Sequence, residues 1–236
     1  MFHFFIIFNS LTKDFLGVCL YRMTPIKNYK PTVGLQVVMM VPRKPREERI
    51  NEIIKAAIEV FLEKGYENTT MEAIAQKAGV SKGGLYHYFP SKDMVLVFAN
   101  EKISEKVTGI MESAQKCSSM REGIMHYIKS YIRYWLENPK ETAFLFLSIA
   151  KILEKPELLK YYQQYTVDYV AFLEGAFTMG VQQGEFKEHN VRTSAITLMA
   201  ALDGILSYMI FDEVLQLEEV LQNFEEKFIK SIEIVK

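Results

Sequence analysis

Cysteine is almost absent from this 236-residue chain. Its two copies, Cys19 and Cys117, stand far apart, with no CxxC pair and no histidine at metal-ligand spacing beside either. No disulfide framework or cysteine zinc site is expected, and both read as unpaired thiols of a reducing, cytoplasmic compartment. An excess of one charge is missing too, since 28 basic side chains face 29 acidic ones for a net charge of −1. No global positive field is available for nucleic acid, so any such partner requires local positive charge. No stretch reaches the roughly 18 consecutive apolar residues of a membrane span, and no stable membrane association is expected. His3, His87, His126 and His189 lie in unrelated contexts, with no phosphate-cradling glycine loop and no nucleophile elbow. Glu141 and Asp203 are accounted for by exposure or capping on helices. No metal, cofactor or catalytic role is therefore assigned.

What is present is the composition of a globular protein, 49% hydrophobic and 24% charged, long enough to bury a core. Residues 1–42 stand apart. They open on an oily MFHFFIIF run, lack helical or alternating periodicity, and are interrupted by Pro25, Pro31, Gly34 and Pro42. They read as a poorly ordered extension, or as translation begun upstream of a functional start at Met23, Met39 or Met40; a membrane-touching segment is the alternative.

From Pro45 onward helix signals dominate and the expected class is all-α, with about nine helices. Ile50, Ile53, Ile54, Ala57 and Phe61 form one stripe over Arg46 to Lys64, and Gly65 follows. A short helix near Met71 to Ala78 is capped by Thr69 or Thr70, with Glu72 placed for a capping box with Thr69. Gly79 stops it, and Ser81 caps a second short helix, Lys82 to Tyr88, before Pro90. Longer helices follow. They are predicted from Lys92 to about Gln115, from Ser119 to near Glu137, from Asn138-Pro139 to about Glu154, and from Pro156 to Gln183. The last two run from Val191 to Phe211 and from Leu217 to about Val235.

Two short helices around a tight glycine turn, at 70–89, are the geometry that lets the second helix enter a major groove. Ile74, Ala75, Ala78, Val80, Leu85 and Phe89 are the set that would lock the pair together. Facing outward are Lys82, Gly83, Gly84, Tyr86, His87 and Tyr88. Each glycine costs a helix interior about 1 kcal/mol relative to alanine. Two together in a two-turn helix break a local rule, as functional positions often do. The gain expected here is close backbone approach to a groove or phosphate. Arg43, Lys44 and Arg46 are either a solvated cluster with non-specific attraction to DNA or an arm reaching phosphate.

The run TTMEAIAQKAGVSKGGLYHYFPSKDM, from Thr69 to Met94, resembles the N-terminal signature of the TetR family of repressors. The likeness extends back through the Arg46 to Lys64 helix, about 60 residues in all. It implies a DNA-binding domain at 43–100, a recognition helix at Lys82 to Tyr88, and phosphate contacts from Thr70, Lys82, Tyr86 and Lys92. With Ser81, Gly83 and Gly84 these make up the expected interface with double-stranded DNA. Gly84 departs from a common pattern in which a side chain reaches bases, which leaves base reading to Lys82, Tyr86, His87 or Gln76. The resemblance further implies a ligand-binding and dimerisation domain at 101–236. Its aromatic density is consistent with a chamber for a small hydrophobic or aromatic inducer, with Tyr131, Trp135, Phe144 and Phe172 as candidate lining. The last two helices are the expected homodimer interface, through Leu198, Leu202, Ile205, Phe224 and Phe228, with Ala200, Ala201 and Gly204 allowing close approach. A two-fold dimer matches a palindromic operator. The expectation is thus a ligand-released repressor; the alternative is a regulator whose C-terminal helices dock a protein partner.

Overall fold

The computed structural model describes residues 45–211 and 215–234. The readings made on residues 1–44, including Cys19, the alternative starts, Arg43 and Lys44, lie outside the described residues. Within them nine α-helices follow one another: α1 (Arg46–Asn68), α2 (Met71–Lys77), α3 (Lys82–Tyr88), α4 (Lys92–Ala114), α5 (Met120–Glu137), α6 (Pro139–Glu154), α7 (Pro156–Gln182), α8 (Val191–Phe211) and α9 (Leu217–Phe224). A π-helical turn, Glu225–Lys230, closes α9, and one isolated antiparallel bridge joins Phe186 to Glu233.

Local chemistry accounts for most boundaries. Gly65 breaks α1 with φ 72, a left-handed conformation that suits glycine, and Gly79 and Gly184 end later helices in the same way. Hydroxyl caps open four helices. Thr70, Ser81, Ser91 and Ser119 accept from the backbone N–H three residues on, at 3.0–3.2 Å.

Two local expectations are corrected. Thr69 forms no capping box with Glu72; its hydroxyl faces the Gly65 carbonyl at 2.7 Å and, further off, that of Val60, both in α1. Asn138 stands at the N-cap of α6 ahead of Pro139, as expected, with no side-chain cap bond; its amide donates back to the Tyr134 carbonyl at 2.8 Å. The last helix does not run to Val235. After Lys230 the chain pairs with the α7–α8 loop, Lys187 N–H donating to Ile232 O at 2.8 Å and Ile234 N–H to Glu185 O at 2.9 Å.

That loop also holds the start of α5. The Glu185 carboxylate accepts from the Met120 and Arg121 N–H groups, both at 3.0 Å, where the helix dipole favours negative charge. Arg121 in turn pairs with Glu225 and, at 3.0 Å, with Glu233. Helix α1 packs on α2, α4 and α6, while α5, α7 and α8 pack on one another. One continuous core results, from Ile53 in α1 to Ile229 beyond α9.

Helix α8 corrects one further expectation, that of the dimer-interface residues. By length and composition, Val191–Ile210 is apolar enough to cross a membrane. The apolar runs are broken by Arg192 and Asp203, which a count of consecutive apolar residues rejects but an average accepts. Leu198 and Leu202 are fully buried within the protomer, against the α5 and α7 side, and Phe224 is buried as well. These three therefore serve the internal core rather than a partner, while Ile205 and Phe228 are half-buried against it.

Candidate nucleic-acid interface

Met71, Ile74 and Ala75 of α2 meet Leu85 of α3 and Phe89 just after it, all buried. Between the helices, Val80 N–H donates to Ala75 O at 3.0 Å, and Gly79 turns the chain with φ 64. The remaining surface of the pair is exposed. It presents Thr70, Gln76, Ser81, Lys82, Gly83, Tyr86 and His87 on one continuous stretch of chain, with Tyr86 45% exposed. Tyr88 is half-buried and edges against the His87 ring.

The two glycines differ. A Cβ added at Gly83 would meet nothing within 4 Å, so no neighbour inside the protein requires glycine there. A Cβ at Gly84 would lie 3.1 Å from Ser81 Oγ, the atom that accepts the Gly84 N–H in the helix cap. Gly84 therefore has a local packing reason, whereas Gly83 has none among the described residues.

Charge on this face is partly masked. Lys82 pairs with Glu72, and the carboxylate raises the Lys82 pKa. Both side chains are more than half exposed, so the pair is worth little and can exchange for a phosphate. Lys77 is held by Glu59 and Glu63 of α1 at 3.2 and 3.1 Å.

Lys92 is the clearest departure from the expected phosphate contacts. Its ammonium donates to the Tyr66 carbonyl at 2.6 Å and the Glu67 carbonyl at 3.3 Å, and lies 4.2 Å from the centre of the Tyr66 ring. Burial, the largest influence, and the nearby Lys155 and Lys151 charges lower its pKa. In this arrangement Lys92 closes the carbonyl end of α1 and positions the turn leading to Thr70.

Sequence reasoning missed the rest of that cluster. Tyr66 stacks on Phe61 and donates to Asp93, which Lys155 also reaches at 2.6 Å, while Lys151 pairs with Glu67. The partners come from α1, the start of α4 and the α6–α7 elbow, too distant in sequence for any local pattern to join them.

The proposed ligand-lining residues divide in two. Tyr131 and Trp135 sit on the inner face of α5 with Tyr127, and the Tyr127 ring lies 5.1 Å from Phe172 of α7. Phe144 does not join them. It is fully buried 5.9 Å from Phe61, in the contact between α1 and α6.

The outer faces of α7 and α8 are apolar and exposed. Val167, Met179, Ile196 and Tyr208 are 59%, 47%, 46% and 67% exposed. Ala171, Gly175, Ala200 and Gly204 lie exposed between them, and a Cβ at either glycine would meet open space.

Two family models match this chain. Residues 53–97 match "Bacterial regulatory proteins, tetR family", and residues 108–234, more than half the chain, match "QacR-like protein, C-terminal region". The chain is 24% identical over 172 residues to the fatty acid metabolism regulator protein of Bacillus subtilis, covering 72% of this chain and 88% of that one. It is 26% identical over 159 residues to the transcriptional activator FasR of Mycolicibacterium smegmatis, covering 67% and 70%. Among solved structures, the regulator FadR from Bacillus subtilis in complex with stearoyl-CoA has a TM-score of 0.62 at 24% identity, covering 77% of this chain and 98% of that one.

Proposed function

The chain belongs to the TetR family of bacterial DNA-binding regulators, and on that premise we propose that it is a cytoplasmic homodimeric repressor released from a palindromic operator by a long-chain acyl thioester. The observation that carries DNA recognition is the exposed α3 surface, where Lys82 has only an exchangeable partner and Gly83 leaves the backbone bare. Phosphate contacts from Thr70, Lys82 and Tyr86 would fix the register, with Gln76 and His87 left to reach base edges. The ligand class is supported by two similar proteins, a fatty acid metabolism regulator and a regulator bound to stearoyl-CoA. The aromatic interior of α5 and α7 suits an apolar chain.

Dimerisation is assigned to the outer α7–α8 face. Its large apolar side chains flank a small-residue seam, so two copies could approach closely and form a four-helix bundle. The test is a mobility-shift titration with DNA flanking the protein's own gene, with and without stearoyl-CoA. A salt-sensitive specific complex that stearoyl-CoA dissolves is expected. Lys82→Ala should weaken it and reduce the salt slope by about one per lost phosphate contact in each subunit. A complex insensitive to salt would contradict the DNA surface assigned here. Gly204→Arg should give monomers in sedimentation and lose the operator; a dimer that persists would place the interface elsewhere.

A further inference from the structure

Among the described residues, two buried side-chain nitrogens have no hydrogen-bond partner: His189 Nε2 and Trp135 Nε1. The histidine lies outside the aromatic column, its ring edge-on to Phe177 and its other nitrogen 2.8 Å from the Lys187 carbonyl. The tryptophan is in the column. Its side chain is 4% exposed, and an indole N–H is a donor only, with no second way to be satisfied. Native proteins rarely leave such a donor buried without an acceptor, and tryptophan burial usually comes with one.

Its surroundings narrow what that acceptor can be. Tyr127, Tyr131 and Trp135 stand one turn apart on α5, a column about 12 Å long. Every phenol beside the indole already donates elsewhere. Tyr127 turns to Met199 Sδ at 3.7 Å, Tyr131 to Asp203 at 2.8 Å, and Tyr134 to Glu141. The indole N–H is the uncommitted donor of the set. The carboxylates beside the column, Asp203 and Glu141, accept from Tyr131 and Tyr134, so an anionic guest would lie next to like charge.

We propose that the Trp135 indole N–H is the hydrogen-bond donor for a neutral carbonyl, an ester or thioester, of a long-chain acyl ligand lying along the Tyr127–Tyr131–Trp135 column. This rests on the ligand-released reading above and sharpens it, because it selects an acyl ester over the corresponding free acid.

Trp135 is the only tryptophan in the chain, so its emission reports on its own bond. Full-length protein is titrated with stearoyl-CoA, methyl stearate, sodium stearate and coenzyme A, following tryptophan emission and release of operator DNA. A red shift with stearoyl-CoA and methyl stearate, weaker with stearate and absent with coenzyme A, is expected. Trp135→Phe keeps a ring in place and removes the donor. Its half-release concentration of stearoyl-CoA should rise about tenfold relative to wild type, the scale of one buried hydrogen bond. If stearoyl-CoA releases wild type and Trp135→Phe equally, the indole assignment is wrong while the acyl-responsive reading stands. If stearate binds as tightly as methyl stearate, the neutral-carbonyl assignment fails. If no probe moves emission or DNA, both readings fall.

Discussion

Gly83 exposes a conflict between stability and function within one residue. Nothing in the protein occupies the space beside its Cα, so alanine fits there and should favour the helix by about 0.5–1 kcal/mol. If the bare backbone exists to approach DNA, Gly83→Ala should raise the melting temperature and weaken operator binding together. Thermal unfolding and mobility shift on the same preparation check this, and a variant that is both more stable and binds undiminished would remove the reason given for this glycine. Gly180 is the opposite case. A Cβ there would overlap the ring of Phe186, which is buried. Gly180→Ala should cost about 1–3 kcal/mol in denaturant unfolding, the usual range for overpacking. An unchanged midpoint would mean that the α7–α8 loop shifts freely.

At the scale of elements, the N-terminal helices join the C-terminal ones through the packing of α1 on α6 and α4, and through a small polar cluster at its edge. Lys155, at the α6–α7 elbow, reaches Asp93 on α4 at 2.6 Å and the Tyr66 hydroxyl in the last turns of α1 at 3.0 Å. A change in the bundle that moves α6 and α7 would therefore pull on the start of α4 and on the turn before Thr70. Lys155→Met should cost no more than about 1 kcal/mol overall, since the pair is partly exposed. Its effect should be local, with faster amide exchange in the first turn of α4 and none in the middle of α5. Equal protection at both places would show that the elbow does not hold α4.

Helix limits were legible because their causes lie within a few residues. A serine accepts from the N–H three positions on, and a glycine left-handed turn needs no distant partner. The Thr69 capping box failed because the Gly65 carbonyl, freed where α1 breaks, takes its hydroxyl, and the continuation of α9 failed because the distant α7–α8 loop pairs with the chain after Lys230.

For the whole molecule, the buried tyrosines set an alkaline limit. Burial is the first cause of raised pKa values at Tyr127, Tyr131, Tyr134, Tyr165 and Tyr169, and it pushes Tyr162 up to about 12. Above about pH 10 the unfolded chain releases these phenolic protons while the folded chain keeps them. Stability from this source is therefore intact below pH 10 and lost as pH rises through the folded values. Melting temperature should be level up to about pH 10 and fall steadily beyond it. A melting temperature that stays level well above pH 10 would contradict the burial.

The sequence alone determined the all-α class, the helix-turn-helix at 70–89 and the glycine stops, because periodicity, caps and turns act over one or two turns of chain. It also determined that Lys82, Gly83, Tyr86 and His87 of α3 stay outside, whereas Tyr88, read as outward, is half-buried. Only the tertiary structure decided the rest. Helix α8 is apolar on both sides, so periodicity could not choose between them, and packing on α5 and α7 turned Leu198 and Leu202 inward and Ile196 and Tyr208 outward. Phe144 went to the α1–α6 contact and Lys92 to the carbonyls closing α1 for the same reason: the group that meets each is more than twenty residues away and is brought there by the fold.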